Sequence, residues 1–163
     1  MSLTANNPRA CSQRGFSLIE SLIAMVVLSF GLLGLAALQI NALKYNQVAH
    51  LRSQATTFAY QILDVMRASP TSAKNGSFDI GLGQSLTGTS VAAVQIADWQ
   101  ASLGTQLPSG RGGICRSANP NPAVNCTGGG DFVIITVEWW EADDTGLRNA
   151  NQFQLVSQVV PSS

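Results

Sequence analysis

Apolar positions change their spacing several times along this chain, and each change predicts a different element. From Ser21 to Leu43 there is no charged residue, and the run from Leu22 to Leu38 is almost wholly apolar. Counted from Phe16, the segment supplies the ~20 apolar residues that cross a ~30 Å hydrocarbon layer as a helix, so residues 16–40 are expected to span a membrane. Beyond Ile40 the pattern narrows to one stripe. Val48, Leu51, Ala55, Phe58, Ile62 and Val65 or Met66 recur at spacings of three and four, with Lys44, His50, Arg52, Gln54, Gln61 and Arg67 largely between them. That spacing predicts an amphipathic helix over 41–68 whose stripe packs on the chain's own sheet, and it leaves His50 on the surface. No proline occurs from residue 16 to 69. One continuous helix is therefore expected to about Ala68, some 53 residues and ~80 Å at 1.5 Å per residue. Gly31 and Gly34 lie inside it, each costing roughly 1 kcal/mol relative to alanine in water, and are candidate points of close helix approach or local unwinding.

Residues 69–163 read as a head. Ser69-Pro70 ends the long helix, because proline removes a backbone donor and restricts the residue before it. Residues 71–90, rich in Gly, Ser and Thr, read as a loop. Val91, Val94, Ala97 or Asp98, Trp99 and Leu103 then fall at helical spacing behind a Thr89 or Ser90 cap, predicting a short helix over 91–107 that Pro108 and the glycines from Gly110 to Gly113 terminate. Phe132 to Trp140 is rich in β-branched and aromatic residues and reads as a strand, with Phe153 to Val160 as its antiparallel partner across the Asp143-Asp144-Thr145-Gly146 turn. A third strand is expected within 76–90 or 111–118. Trp139 and Trp140 should point to opposite faces, one into the core and the other either toward another subunit or under the 143–152 loop. A small antiparallel sheet on a helical stripe is an α+β fold.

Composition removes most other classes of function. The 163 residues carry nine Lys+Arg against nine Asp+Glu, and only 11% are charged, so there is no positive field to attract a phosphate backbone and no nucleic-acid partner is expected. With 45% apolar residues, bulk disorder is excluded. His50 is the single histidine. Asp79, Asp98, Asp131, Glu138, Glu141, Asp143 and Asp144 have no His, Ser or Cys arrangement beside them, so no catalytic residue, metal site or cofactor is expected and the chain does not read as an enzyme. Calcium at Asp143 and Asp144 is the weaker alternative to a turn.

The residues before the apolar run set its orientation. Positions 1–15 carry Arg9 and Arg14 and no acid, which keeps them cytoplasmic and places the rest across the membrane. A secretory signal has an apolar region of only about 7–15 residues, shorter than this one. On the translocated side Cys115 and Cys126 enclose a loop rich in proline and asparagine. An oxidising compartment makes a disulfide their natural state, worth roughly 2–3 kcal/mol for a loop of this length. Zinc is the competing reading, and no neighbouring histidine or further cysteine supports it. Glu20, an ionisable group at the edge of the span, is a functional candidate by its cost alone.

The string Arg14-Gly15-Phe16-Ser17-Leu18-Ile19-Glu20, running directly into the apolar helix, resembles the signal of type IV prepilins and type II secretion pseudopilins. With the continuation from Val26 to Ala36, the first third of the chain resembles the PilV-type minor pilins, and the head does so only in general layout. The resemblance implies a type IV pilin-like fold: a long N-terminal helix, half transmembrane and half amphipathic, packed on a small antiparallel sheet. It implies that a prepilin peptidase cuts between Gly15 and Phe16 and methylates the Phe16 amine. Residues 1–15, with Cys11, would leave as a leader, and loss of Arg9 and Arg14 would leave seven basic side chains against nine acidic. Glu20 would then pair with the terminal amine of Phe16 in a neighbouring subunit, pairing within one chain being the alternative. The implied partners are other minor pilins, the major pilin and a tip adhesin. The implied location is the inner membrane with a periplasmic head, then the pilus. A pseudopilin of a type II secretion system would share the signal, the stalk and the α+β head.

Overall fold

The structure is a computed structural model, and it describes residues 17–121, 128–142 and 146–158. Three helices precede three strands: α1 (Leu18–Ala68), α2 (Pro70–Lys74), α3 (Val91–Gln106), β1 (Arg111–Ser117), β2 (Phe132–Ala142) and β3 (Arg148–Gln158). The chain divides into a unit ending at Lys44 and a unit beginning at Tyr45.

In the first unit α1 is helical through both Gly31 and Gly34, and a Cβ at either would meet nothing within 4 Å. Every large apolar side chain from Leu18 to Leu43 is exposed. A helix this long and apolar can cross a membrane. Its Ser29 hydroxyl donates to the Met25 carbonyl at 2.8 Å, which removes a hydroxyl donor from an apolar surface.

In the second unit the later turns of α1 bury one stripe, Ala55, Phe58, Ala59, Ile62, Leu63 and Met66. Val48, Leu51 and Val65 are half-buried, and His50 is exposed, as its position between stripe residues requires. Arg67 closes the last turn and Ser69-Pro70 ends the helix, with Pro70 starting α2 inside the segment expected to be loop.

The capping expected for α3 is present: the Ser90 hydroxyl accepts the Ala93 N–H at 3.2 Å. Its buried face matches the expected one at Trp99 and Leu103 and departs from it in the first turns. Val91 and Val94 are exposed, and Ala92, Ala93, Ile96, Trp99 and Leu103 form the buried stripe. Ile96, Trp99 and Leu103 are spaced by three and four, and small Ala92 and Ala93 extend that same face, so packing of the large residues overrides the two valines at the first turn.

The sheet has the order β1-β2-β3 and is antiparallel throughout. Ile114 pairs with Ile135 and Ile135 with Leu155, and these residues share a face with Val133, Val137, Trp139 and Phe153. That face closes over the α1 stripe, Ile96, Trp99 and Leu103 in one core. β3 begins at Arg148, five residues before the expected Phe153, because Asn149, Ala150 and Asn151 pair with Glu141, Trp140 and Trp139. Asp143, Asp144 and Thr145 lie outside the described residues. Gly146 beyond them has φ 82°, as turn chemistry there requires. The third strand is the 111–118 candidate. The 76–90 candidate supplies only a bridge, Ile80 to Ile114, with Ile80 N–H donating to the Ile114 carbonyl at 2.7 Å and the reverse bond at 2.9 Å.

Trp99 joins three elements. Its indole N–H donates to the Phe58 carbonyl of α1 at 3.0 Å, and its ring lies where a Cβ on Gly112 of β1 would stand. Gly112 is thus required for close approach, whatever its dihedral angles. Gly112→Ala is expected to destabilise the head by about 1–3 kcal/mol through overpacking against a buried ring. Urea unfolding of the chain in detergent, followed by tryptophan fluorescence, measures this, since Trp99, Trp139 and Trp140 all lie in the second unit.

Candidate functional site

The candidate site begins where α1 begins. The Ser17 carbonyl accepts the N–H groups of Glu20 at 3.0 Å and Ser21 at 3.2 Å, so Glu20 sits in the first helical turn. A carboxylate there is favoured by the positive end of the helix dipole. Glu20 is exposed, and among the described residues its side chain has no ion pair or hydrogen bond. Gly15 and Phe16, the expected cleavage and methylation positions, lie outside the described residues. From Glu20 the next charged residue is Lys44. An isolated carboxylate at the mouth of so long an apolar surface calls for a cation when neighbouring helices exclude water.

The head carries charged groups of a different kind, each committed to structure. Arg116, on β1, donates from Nε to Asp79 Oδ2 at 2.9 Å, from a terminal nitrogen to the Gly128 carbonyl at 2.8 Å, and from the other to the Lys74 carbonyl. One guanidinium thereby ties β1 to the segments on either side of it. Burial pushes the Asp79 carboxyl above its ordinary value, outweighing the hydrogen bond and charge of Arg116. Its Oδ1 is buried without a partner among the described residues, consistent with that penalty. On the sheet face away from the core, Glu138 bonds Arg111 of β1 and accepts from Gln152 Nε2 of β3 at 2.8 Å, a polar ladder across all three strands. Burial raises the Glu138 pKa, but the hydrogen bonds from Gln152 and Arg111 and the charge of Arg111 prevail, and the net value is below ordinary. Neither group was visible as a site in the sequence, because their partners lie 37 and 27 residues away.

Trp139 is buried and donates from its indole to Glu141 at 2.6 Å. Trp140 faces the other way and is half-buried, its backbone N–H donating to the Pro108 carbonyl at 2.9 Å. Cys115 is disulfide-bonded, and Cys126, its expected partner, lies outside the described residues. Among the described residues no group of three or more His, Cys, Asp or Glu could hold a metal.

Comparison with known families places one match on this chain. A family model described as the prokaryotic N-terminal methylation motif matches residues 11–36, spanning Arg14, Gly15, Phe16, Glu20 and most of the apolar run from Leu22 to Leu38. No curated protein and no solved structure matches. The motif is a type IV prepilin-like signal and supports a type IV pilin or pseudopilin family, a structural class of protein. It implies processing by a prepilin peptidase and assembly with other pilins. Together with the apolar helix it fits a membrane-anchored subunit.

Two outcomes follow from these groups. Intact mass of the protein from membranes should show loss of residues 1–15 and gain of one methyl group only where prepilin peptidase is present. In the head, Glu138 has a lowered folded-state pKa, so its contribution to stability is complete above the ordinary Glu range and disappears as pH falls through the lowered value. Asp79 has a raised one, and its protonation favours folding below the ordinary Asp range, an effect lost as pH rises through the raised value. Glu138→Gln should cost about 1–3 kcal/mol at pH 7. The gap between variant and wild type should narrow below about pH 4, as measured by urea unfolding.

Proposed function

We propose that this chain is a minor pilin of the PilV type, which primes assembly of a type IV pilus with other minor pilins and supports display of a tip adhesin. The observation that carries the reading is the methylation motif joined without a break to α1, whose later turns form the spine of an α+β head. Cleavage between Gly15 and Phe16 on the cytoplasmic side leaves the apolar helix in the mature chain and creates a cationic amine on Phe16, which is then methylated. In a filament of parallel helices that cation is buried, and Glu20, four residues on, supplies its partner in the neighbouring subunit. The head stands in the periplasm before assembly and on the pilus after it. There an oxidising compartment favours the disulfide between Cys115 and Cys126. The major pilin is the remaining partner.

Deletion of the gene should abolish surface pili and twitching while leaving protein secretion unchanged. Loss of secretion with normal pili would assign the chain to a type II secretion pseudopilus instead. Glu20→Ala should leave membrane insertion and processing intact and lower recovery of the subunit in sheared filaments by at least about tenfold, since removing one partner strands a buried charge. Incorporation at the wild-type level would remove the charge pair from the mechanism.

A further inference from the structure

The two edges of the sheet are treated differently. The β1 edge is covered: Ile80 and Ile114 exchange backbone bonds, and Gly83 N–H donates to the Gly112 carbonyl at 3.3 Å. The β3 edge from Ala150 to Gln158 makes no backbone hydrogen bond beyond its pairing with β2 among the described residues. Edge strands are ordinarily protected by proline, a bulge, shortness or charge. β3 has none of these over that stretch. Its eleven residues pair with β2 without interruption, and the strand contains no proline and no charged residue after Arg148.

A cleft of about 370 Å³ opens beside this edge, lined by Arg52 and Thr56 of α1, Trp139 of β2, and Asn151, Gln152 and Phe153 of β3. Arg67, fifteen residues further along α1, donates to the Ser157 hydroxyl at 3.2 Å. At 1.5 Å per helical residue and about 3.4 Å per strand residue, the two spacings agree at roughly 20 Å, so α1 runs alongside β3 in the same direction. Arg67 is also engaged by Asp64. Arg52 is exposed, and its guanidinium has no partner among the described residues.

We propose that the outer edge of β3 docks an extended strand donated by a different polypeptide, which continues the sheet and sets an acidic side chain in the cleft against Arg52. Main-chain bonds along the edge give affinity, and the cleft, with its unpaired cation and half-buried Phe153, selects the side chain. A second copy is a poor occupant. Pairing β3 with β3 would bring no acidic side chain to Arg52, because Arg148–Gln158 contains neither Asp nor Glu. The inference stands on the sheet edge and the cleft at Arg52 and does not rest on the pilus reading.

The test uses the full chain in detergent micelles and a fluorescent peptide of about nine residues, matched to the length of the open edge, in which Thr and Val alternate about a central Glu. The Glu peptide should bind at least about tenfold more tightly than its Lys counterpart, and Arg52→Glu should reverse the preference. N-methylation of alternate amides along one peptide edge should abolish binding, while methylation along the other edge leaves it, and amide exchange within 150–158 should slow on binding. Absence of binding at about 1 mM, equal binding of both methylated peptides, or an unchanged preference in Arg52→Glu overturns the proposal. A dimer in sedimentation that the peptide dissociates gives the edge to a second copy and overturns the assigned occupant.

Discussion

The indole of Trp99 is where the helices and the sheet of the head are fixed to one another. An aromatic N–H must find an acceptor when buried, and this one finds the Phe58 carbonyl within a helix, where backbone oxygens are ordinarily committed to the turn above. The ring can come that close to the sheet only because Gly112 has no side chain. That contact joins α3 to α1 and β1, and Ile96 and Leu103 are buried on the same face of α3. The rest of the core fills the space it defines.

Much of this was legible in the sequence because it depends on short-range spacing. The apolar run, the stripe from Ala55 to Met66, the Ser90 cap, the proline stop at residue 70 and the Phe132–Trp140 strand are local signals, and each appears where expected. The misread first turns of α3 show where such signals give out. Val91 and Val94 lie in the first turn, and two exposed valines cannot be told from two buried ones until the position of Trp99 is known. The strand Arg148–Gln158 began earlier than its composition indicated, since Asn and Gln pair there through their backbones and owe their place to β2. Of the expected site residues, Glu20 stands at the helix start, whereas the ion pairs of Arg111 and Arg116 came from contacts that no spacing rule announces.

The chain also asks one helix to meet two solvents. Up to Leu43 its apolar groups face outward on every side, and from Ala55 they face a single direction. Propensity cannot distinguish the two halves, because both are built from good helix formers. What differs is the distribution of polar groups around the axis, and that distribution decides which turns can be covered by this chain's own sheet and which must be covered by something else. The functional reading is in this sense a statement about unsatisfied surface.

Arg116 has a further consequence. It donates to the Gly128 carbonyl and its own carbonyl accepts the Gly128 N–H at 3.2 Å, so the two ends of the intervening stretch are held at its base independently of what lies between them. Lys74, Asp79 and Gly128 thus share one cation, so loss of Arg116 would loosen the end of α2, the segment before β1 and the segment before β2 together.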